Sequence, residues 1–132
     1  MATYNYAPGL GNVGSYQASG IPWVSSSLTV PAENDVPLQV RFPYVTREVT
    51  VRNDSAGTIR AGFSAAGVSG SGPNTNYFTL ASSGSFTSPI KVVDVFLISD
   101  TANTGTATVV ASLTGIDNKI LVTNWTGSEG VG

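Results

Sequence analysis

The chain has 132 residues, of which only 11% are charged, and its formal net charge is −2. It contains neither His nor Cys, which excludes disulfides, thiolate metal sites and a Ser–His–acid triad. A charged fraction well below the roughly 25% usual for soluble domains, with a negative balance, provides no electrostatic footprint for nucleic acid or an anionic membrane. We expect one domain without cofactor or metal. Its uncharged Ser-, Thr- and Gly-rich surface suits either contact with another protein or plain solvation.

The first 20 residues predict an extended arm. Three tyrosines, Tyr4, Tyr6 and Tyr16, lie there among four glycines and one proline, without hydrophobic periodicity. The segment 9–14 matches G-x-G-x-x-G, but a dinucleotide fingerprint needs a strand before it and a helix after it, and neither is predicted. The start also lacks the basic and apolar regions of a secretory signal. The tyrosines need a surface to pack on, either the chain's own body or a neighbouring subunit.

Two strands are predicted directly after the arm. Ile21–Val30 predicts the first strand, which contains Trp23 and a run of serines typical of an edge. Residues 36–42 alternate apolar and polar side chains, which predicts a second strand, and Pro43 ends it.

The stretch 42–63 predicts a β-hairpin. Its first arm alternates valines with polar residues, and its second arm does the same with Ile59, Ala61 and Phe63. Between the arms the chain reads Asn-Asp-Ser-Ala-Gly, residue types that favour a turn. Arg47 falls on the apolar side of this pattern, which we take to place it beyond the edge of the core.

The rest of the chain predicts five more strands and no helix. Residues 65–76 are small and polar with several glycines and a proline, which predicts a flexible loop outside the core. Residues 90–99 are apolar on both faces, as in a central strand covered on each side, and residues 115–118 predict a turn. The predicted strands are 77–81, 85–88, 90–99, 106–114 and 119–125.

Eight or nine short strands separated by turns indicate an all-β domain, an antiparallel β-sandwich over residues 21–126. The jelly roll is the first expectation and an immunoglobulin-like sandwich the second, because the Cys–Trp–Cys framework of the latter is absent. The extended arm then occupies residues 1–20 and a flexible tail residues 127–132.

Asp94 is a carboxylate inside an apolar strand. Burial of an unpaired charge is costly, so a partner such as Lys91 or an arginine from another strand is expected. An intersubunit salt bridge is one reading of this position. An outward-facing position is the reading we prefer.

The remaining candidates for chemistry are loop carboxylates and aromatic residues. Asp54, Asp100 and Asp117 offer oxygen ligands of the type Ca²⁺ takes, but no loop has the dense carboxylate spacing of a dedicated site. A glycosidase-type carboxylate pair is a further alternative. The aromatic residues that could stack on a sugar are more often core or interface residues in a β-sandwich; they are Trp23, Tyr44, Tyr77 and Trp125.

Five blocks of the chain, taken together, resemble small virion structural proteins encoded by marine and cyanobacterial tailed phages. They are PGLGNVGSYQ at 8–17, SGIPW at 19–23, FPYVTR at 42–47, IRAGF at 59–63 and LTGI at 113–116. The resemblance covers most of the chain and rests on fold-type residues rather than on a chemical motif.

This resemblance implies a non-enzymatic head decoration, or cement, protein on the exterior of the virion. Such proteins bind the outside of an icosahedral capsid, commonly as homotrimers at local three-fold positions that clamp the major capsid protein. We expect Tyr4, Tyr6, Tyr16 and Trp23 to make the contacts. Another virion role, at a capsid vertex or in the tail, is an alternative. A second alternative is a carbohydrate-binding β-sandwich used for host adhesion. A third is an enzyme whose catalytic residues are carboxylates.

Overall fold

The computed structural model describes residues 20–69, 76–119 and 131. In these residues eight β-strands form two four-stranded antiparallel sheets, and there is one short helix. The strands are β1 Ile21–Val30, β2 Leu38–Arg41, β3 Tyr44–Asn53, β4 Ile59–Gly62, β5 Phe78–Leu80, β6 Ser85–Ser88, β7 Asp94–Ser99 and β8 Gly105–Asp117, and the helix, α1, is Ala65–Ser69.

The two sheets interleave along the chain. The first sheet has the order β1-β8-β3-β6 and the second the order β2-β7-β4-β5. The pairs are nested, because β1 pairs with β8, β2 with β7, β3 with β6 and β4 with β5. Two further pairs, β3 with β8 and β4 with β7, complete the sheets. The predicted all-β sandwich is therefore confirmed.

The core lies between the sheets and follows the period of two along each strand. Its fully covered members come from both sheets, among them Val49 and Val109 from the first and Ile59 and Leu97 from the second. Each such side chain contributes about 1.5–3 kcal/mol by leaving water. A smaller cluster joins Val45, Val93 and Ile116 at one end.

The predicted hairpin over residues 42–63 is wrong, although both of its strands exist. β3 pairs with β8 and β6 in the first sheet, whereas β4 pairs with β7 and β5 in the second. The turn after Asn53 therefore carries the chain from one sheet to the other. Alternation predicts a strand with one buried face, but it does not identify the strand's hydrogen-bonding partner.

The predicted loop over residues 65–76 is wrong in its first part, which forms α1. Ser64 caps this helix: its Oγ accepts the Gly67 N–H at 2.9 Å, and its carbonyl accepts the Val68 N–H at 3.1 Å. Gly67 and Val68 are buried, so this segment belongs to the packed structure. Ser64 Oγ also donates to the carbonyl of Val131 at 2.6 Å.

Some strand limits differ from the prediction. β8 continues to Asp117, so the predicted turn at residues 115–118 is wrong; the Thr114 hydroxyl donates to the Val45 carbonyl at 2.7 Å and holds the strand in place. Val36, predicted inside the second strand, is 84% exposed ahead of β2. β7 begins at Asp94 rather than at residue 90. Most of the predicted arm and tail, and residues 120–125 of the strand predicted over residues 119–125, lie outside the described residues.

Candidate functional site

The contact residues expected from the sequence are only partly described by the structure. Tyr4, Tyr6 and Tyr16 lie outside the described residues. Trp23 is half-buried on β1, and its ring packs edge-on against Phe42 with 4.9 Å between centroids and 86° between planes. The buried part of the indole therefore supports the edge of the core.

Among the described residues, the outer face of the first sheet is largely exposed and carries two charged side chains, Glu48 and Arg52. Cross-strand register aligns its outward side chains in three rows, because residues directly opposite each other share a face. We call this surface the open face. Its rows are Val24–Val110–Thr50–Thr87, Pro22–Ser112–Glu48 and Thr108–Arg52–Ser85.

Two exposed valines form the apolar part of the open face. Val24 is 62% exposed and Val110 is 40% exposed, and they face each other across β1 and β8. Thr50 continues the row, and its hydroxyl is 2.9 Å from that of Thr87. β-Branched side chains have few rotamers, so little side-chain entropy is lost when another surface covers them.

The positive charge on the open face is held in a local network. Arg52 Nε donates to Asp54 Oδ1 at 2.6 Å, and the Thr108 hydroxyl donates to Asp54 Oδ2 at 2.5 Å. These two hydrogen bonds, the one from Arg52 first, lower the pKa of Asp54 from its ordinary value of 3.8 against the opposing effect of desolvation. Arg52 is thus partly neutralised where it lies.

The outer face of the second sheet is covered in part. α1 lies on β4, where Gly62 leaves room for Val68: a Cβ on Gly62 would lie 2.6 Å from Val68 Cγ2. Farther along, the Arg60 guanidinium lies 4.8 Å from the centroid of the Tyr77 ring and donates to Asp100 at 2.6 Å. One face of the Tyr77 ring is therefore occupied by a cation.

Asp94 belongs to this covered face. As expected, its side chain points outward, away from the core between the sheets, but it is only 5% exposed. The expected arginine from another strand is confirmed. Arg41 on β2 lies directly opposite and contacts both carboxylate oxygens at 3.2 Å, and Gln39 Nε2 donates at 3.0 Å.

A cleft of about 460 Å³ opens beside the start of β3. Its lining residues are Thr46, Arg47, Pro89, Ile90 and Lys91, which bring two cations next to two apolar side chains. Arg47 is exposed, as expected from its break in the alternation. The cause is a bulge: Thr46 faces Leu113 and Glu48 faces Ser112, so Arg47 is an extra residue on β3.

The loop carboxylates do not converge. Asp54 bonds Arg52 and Thr108, Asp100 bonds Arg60, and Asp117 accepts the Lys119 backbone N–H at 2.9 Å. Within residues 20–69, 76–119 and 131, no group of three or more acidic residues is placed to hold a metal ion. No helix of the described chain is long and apolar enough to cross a membrane.

In comparisons with known proteins, no protein-family model matches the chain, and no curated protein matches it.

Sequence reasoning missed both surfaces. The open face depends on the register between β1, β8 and β3, which no local pattern encodes. The cleft had one signal, the break at Arg47, which indicates a bulge as readily as the end of the core. On its other side, Ile90 and Lys91 fall within the strand predicted over residues 90–99.

Proposed function

We propose that the protein is a non-enzymatic virion structural protein. In this role it decorates the outer surface of an icosahedral phage head and stabilises the contacts between copies of the major capsid protein. The resemblance of the five sequence blocks to small virion proteins of tailed phages supports this role. So does the scattered arrangement of the loop carboxylates Asp54, Asp100 and Asp117, each of which has its own hydrogen-bonding partner.

The strand arrangement supports a jelly roll as the finer fold. A jelly roll has eight strands in two sheets, built from two Greek keys. The nested pairing of β1 with β8, β2 with β7, β3 with β6 and β4 with β5 is the pairing that such a roll requires. Viral capsid proteins and lectins both use this architecture, so the fold alone does not choose between them.

The observation that carries the proposal is the difference between the two outer faces. α1 and two part-exposed ion pairs lie on the outer face of the second sheet, whereas valines and threonines form the central row of the first. Interface cores are depleted in charge, and the central row of the open face, which contains Val24 and Val110, has no charged residue. A capsid repeats its sites many times, so a modest patch on each copy is sufficient. We propose a homotrimer that binds through this face and through the arm of residues 1–20.

The aromatic residues give the carbohydrate-binding alternative no comparable support. Among the described residues, Trp23 packs on Phe42 and Tyr77 lies under Arg60. Tyr44 is 40% exposed at the start of β3 and is not part of the open face. A sugar platform needs several aromatic rings on one accessible surface, so we keep adhesion as the second proposal.

The test is sedimentation of the protein with undecorated capsids. Wild type should sediment with capsids to a saturating stoichiometry, and its free mass should be that of a trimer. Val110→Lys places a charge at the centre of the open face and should abolish the binding. Val36→Lys adds the same charge to the exposed loop before β2 and should bind like wild type.

Circular dichroism establishes that both variants fold. If Val110→Lys sediments with capsids as well as wild type does, the open face is not the capsid-binding surface. If wild type itself fails to sediment, the decoration role is wrong, and a glycan array then tests the adhesion alternative. Deletion of residues 1–20 should weaken capsid binding if the arm contributes.

A further inference from the structure

The residue before β1 lies against the open face. Gly20 precedes Ile21, the first residue of β1, and a Cβ on Gly20 would overlap the Cβ of Ser112. Ser112 is an outward residue of the open face, opposite Pro22 on β1. A straight continuation of β1 would place Gly20 opposite Thr114 instead, so the backbone bends toward the outer side of the sheet. Glycine permits this close approach because it has no side chain.

The position of Gly20 brings Tyr16 within reach of the apolar part of the open face. Tyr16 is four residues before Gly20, and four residues of chain span at most about 13–14 Å. Val110 lies two residues from Ser112 on the same face of β8, which is about 7 Å. Val24 lies beside Val110 on the neighbouring strand, about 5 Å to the side. The connection is short, so little backbone has to be ordered for Tyr16 to cover both valines.

The chemistry of the segment matches that of the face. Residues 1–19 contain no charged side chain, and the central row Val24–Val110–Thr50–Thr87 has none either. A tyrosine ring suits the two valines, because aromatic and β-branched side chains pair favourably on the face of a sheet. The tyrosine hydroxyl is both a donor and an acceptor. The next residue of the row, Thr50, offers a hydroxyl that can bond it.

We propose that Tyr16 packs on Val24 and Val110 of its own chain in the free protein, so that the N-terminal segment covers the apolar part of the open face. Tyr4 and Tyr6, ten or more residues closer to the start, take no part in this contact. A partner that binds through the same valines must first displace Tyr16. The contact belongs to the free chain and does not rest on the proposed function.

The test is NMR spectroscopy of the full-length chain with ¹³C-labelled valine methyl groups. Wild type should show nuclear Overhauser effects (NOEs) between the Tyr16 ring and the methyl groups of Val24 and Val110. Tyr16→Ser should remove these NOEs and shift both sets of methyl signals, because the ring current of the tyrosine is lost. The Val36 methyl signals should not move, since Val36 is 84% exposed in the loop that follows the far end of β1.

Tyr4→Ser is the matched control, because it removes the same kind of side chain from the same segment. It should leave the methyl signals of the two valines where wild type has them. Gly20→Ala should weaken the NOEs although Tyr16 is present, because the added Cβ pushes the chain away from Ser112. If wild type shows no such NOE, or if Tyr4→Ser shifts the methyl signals as much as Tyr16→Ser does, the proposal is overturned.

Mixed labelling distinguishes a contact within one chain from a contact with a second copy. A deuterated chain with protonated, ¹³C-labelled valine methyl groups is refolded together with an unlabelled chain. In this sample an NOE from a tyrosine ring to the labelled methyl groups arises only between copies. We expect none for Val24 and Val110. An NOE of this kind would assign the cover to a neighbouring copy and overturn the contact within the chain.

Capsid sedimentation separates this inference from the proposed function. If wild type sediments with capsids but the Tyr16 ring shows no NOE to the two valines, the proposed cover alone is wrong. If the NOEs are present and capsids do not sediment with the protein, the cover stands and the decoration role is wrong.

Discussion

The side-chain amide of Asn53 donates a hydrogen bond of 2.9 Å to the carbonyl oxygen of Leu80, and this bond joins the two sheets. Asn53 ends β3 in the first sheet, and Leu80 ends β5 at the edge of the second. The same nitrogen lies 2.7 Å from the Gly57 carbonyl and 3.1 Å from that of Ala81. Asn53 Oδ1 accepts the Ser55 N–H at 2.9 Å. A fully buried amide therefore anchors the crossing between the sheets.

Asn53→Ala should reduce the free energy of unfolding by about 2–4 kcal/mol, because it leaves several backbone groups without a partner in a buried place. Urea denaturation measures this change. Asn103→Ala, in the exposed loop before β8, should change the free energy by less than about 0.5 kcal/mol. If the two variants were equally stable, Asn53 would not hold the crossing.

The strands were predictable because burial of one face imposes a period of two on the sequence. β1 and β6 have the predicted bounds. The alternation of Ala107, Val109 and Ala111 correctly predicted the buried side of β8. Strand pairing was not predictable, because the partner of β3 lies far along the chain in β8. α1 was missed because its sequence is short and rich in small residues. Its stability comes from the Ser64 cap and from packing on β4, not from helix propensity.

The candidate site was less predictable than the fold. Trp23 was predicted to contact another subunit, which stays a prediction, and its packing on Phe42 of this chain was not predicted. The need of Asp94 for an arginine was predictable from the cost of burying a charge. The burial of Asp94 was not predictable, because the residues that cover it, Arg41 and Gln39, come from a strand more than 50 residues away. The residues that share a surface such as the open face can be named only when the pairing and register of its strands are known.

Arg41→Met should lower the free energy of unfolding by about 1–2 kcal/mol, because it removes charge-assisted hydrogen bonds from the buried carboxylate of Asp94. The loss stays below the 3–5 kcal/mol typical of fully buried pairs, since the Arg41 side chain is 43% exposed and Gln39 still donates. Chemical denaturation measures it, with Lys119→Met as the control that should match wild type. Equal stability of Arg41→Met and wild type would mean that water replaces the arginine without loss.

The contribution of Asp54 should depend on pH. Its pKa is lowered in the folded protein by the hydrogen bonds from Arg52 and Thr108. The resulting stabilisation is fully present above the ordinary pKa of 3.8 and is lost as the pH falls through the lowered value. Wild type should therefore be more stable than Asp54→Asn at neutral pH, and the difference should shrink as the pH falls below about 4.

Thermal unfolding at a series of pH values measures this difference. Thr108→Val removes one of the two donors and should reduce the pH-dependent difference without abolishing it. Arg52→Met should reduce it more, because its hydrogen bond is the largest cause of the lowered pKa. A difference between wild type and Asp54→Asn that stays constant down to low pH would contradict this account.

Gly62 is predicted to be intolerant of even a methyl group. A Cβ at this position would lie 2.6 Å from Val68 Cγ2 and 3.0 Å from the Asn76 carbonyl oxygen. Val68 is fully buried, and a shift of its side chain would disturb the close-packed residues around it. Gly62→Ala should therefore cost about 1–3 kcal/mol in the free energy of unfolding, as measured by urea denaturation.

Gly57→Ala is the matched control, because the nearest heavy atom to its added Cβ, Thr101 Oγ1, is 4.0 Å away. Its stability should equal that of wild type or exceed it slightly, since alanine reduces the entropy of the unfolded chain. Adding Val68→Ala to Gly62→Ala removes the closest clash, so the double variant should lose less than the sum of the two single losses. Purely additive losses would mean that α1 does not press on Gly62.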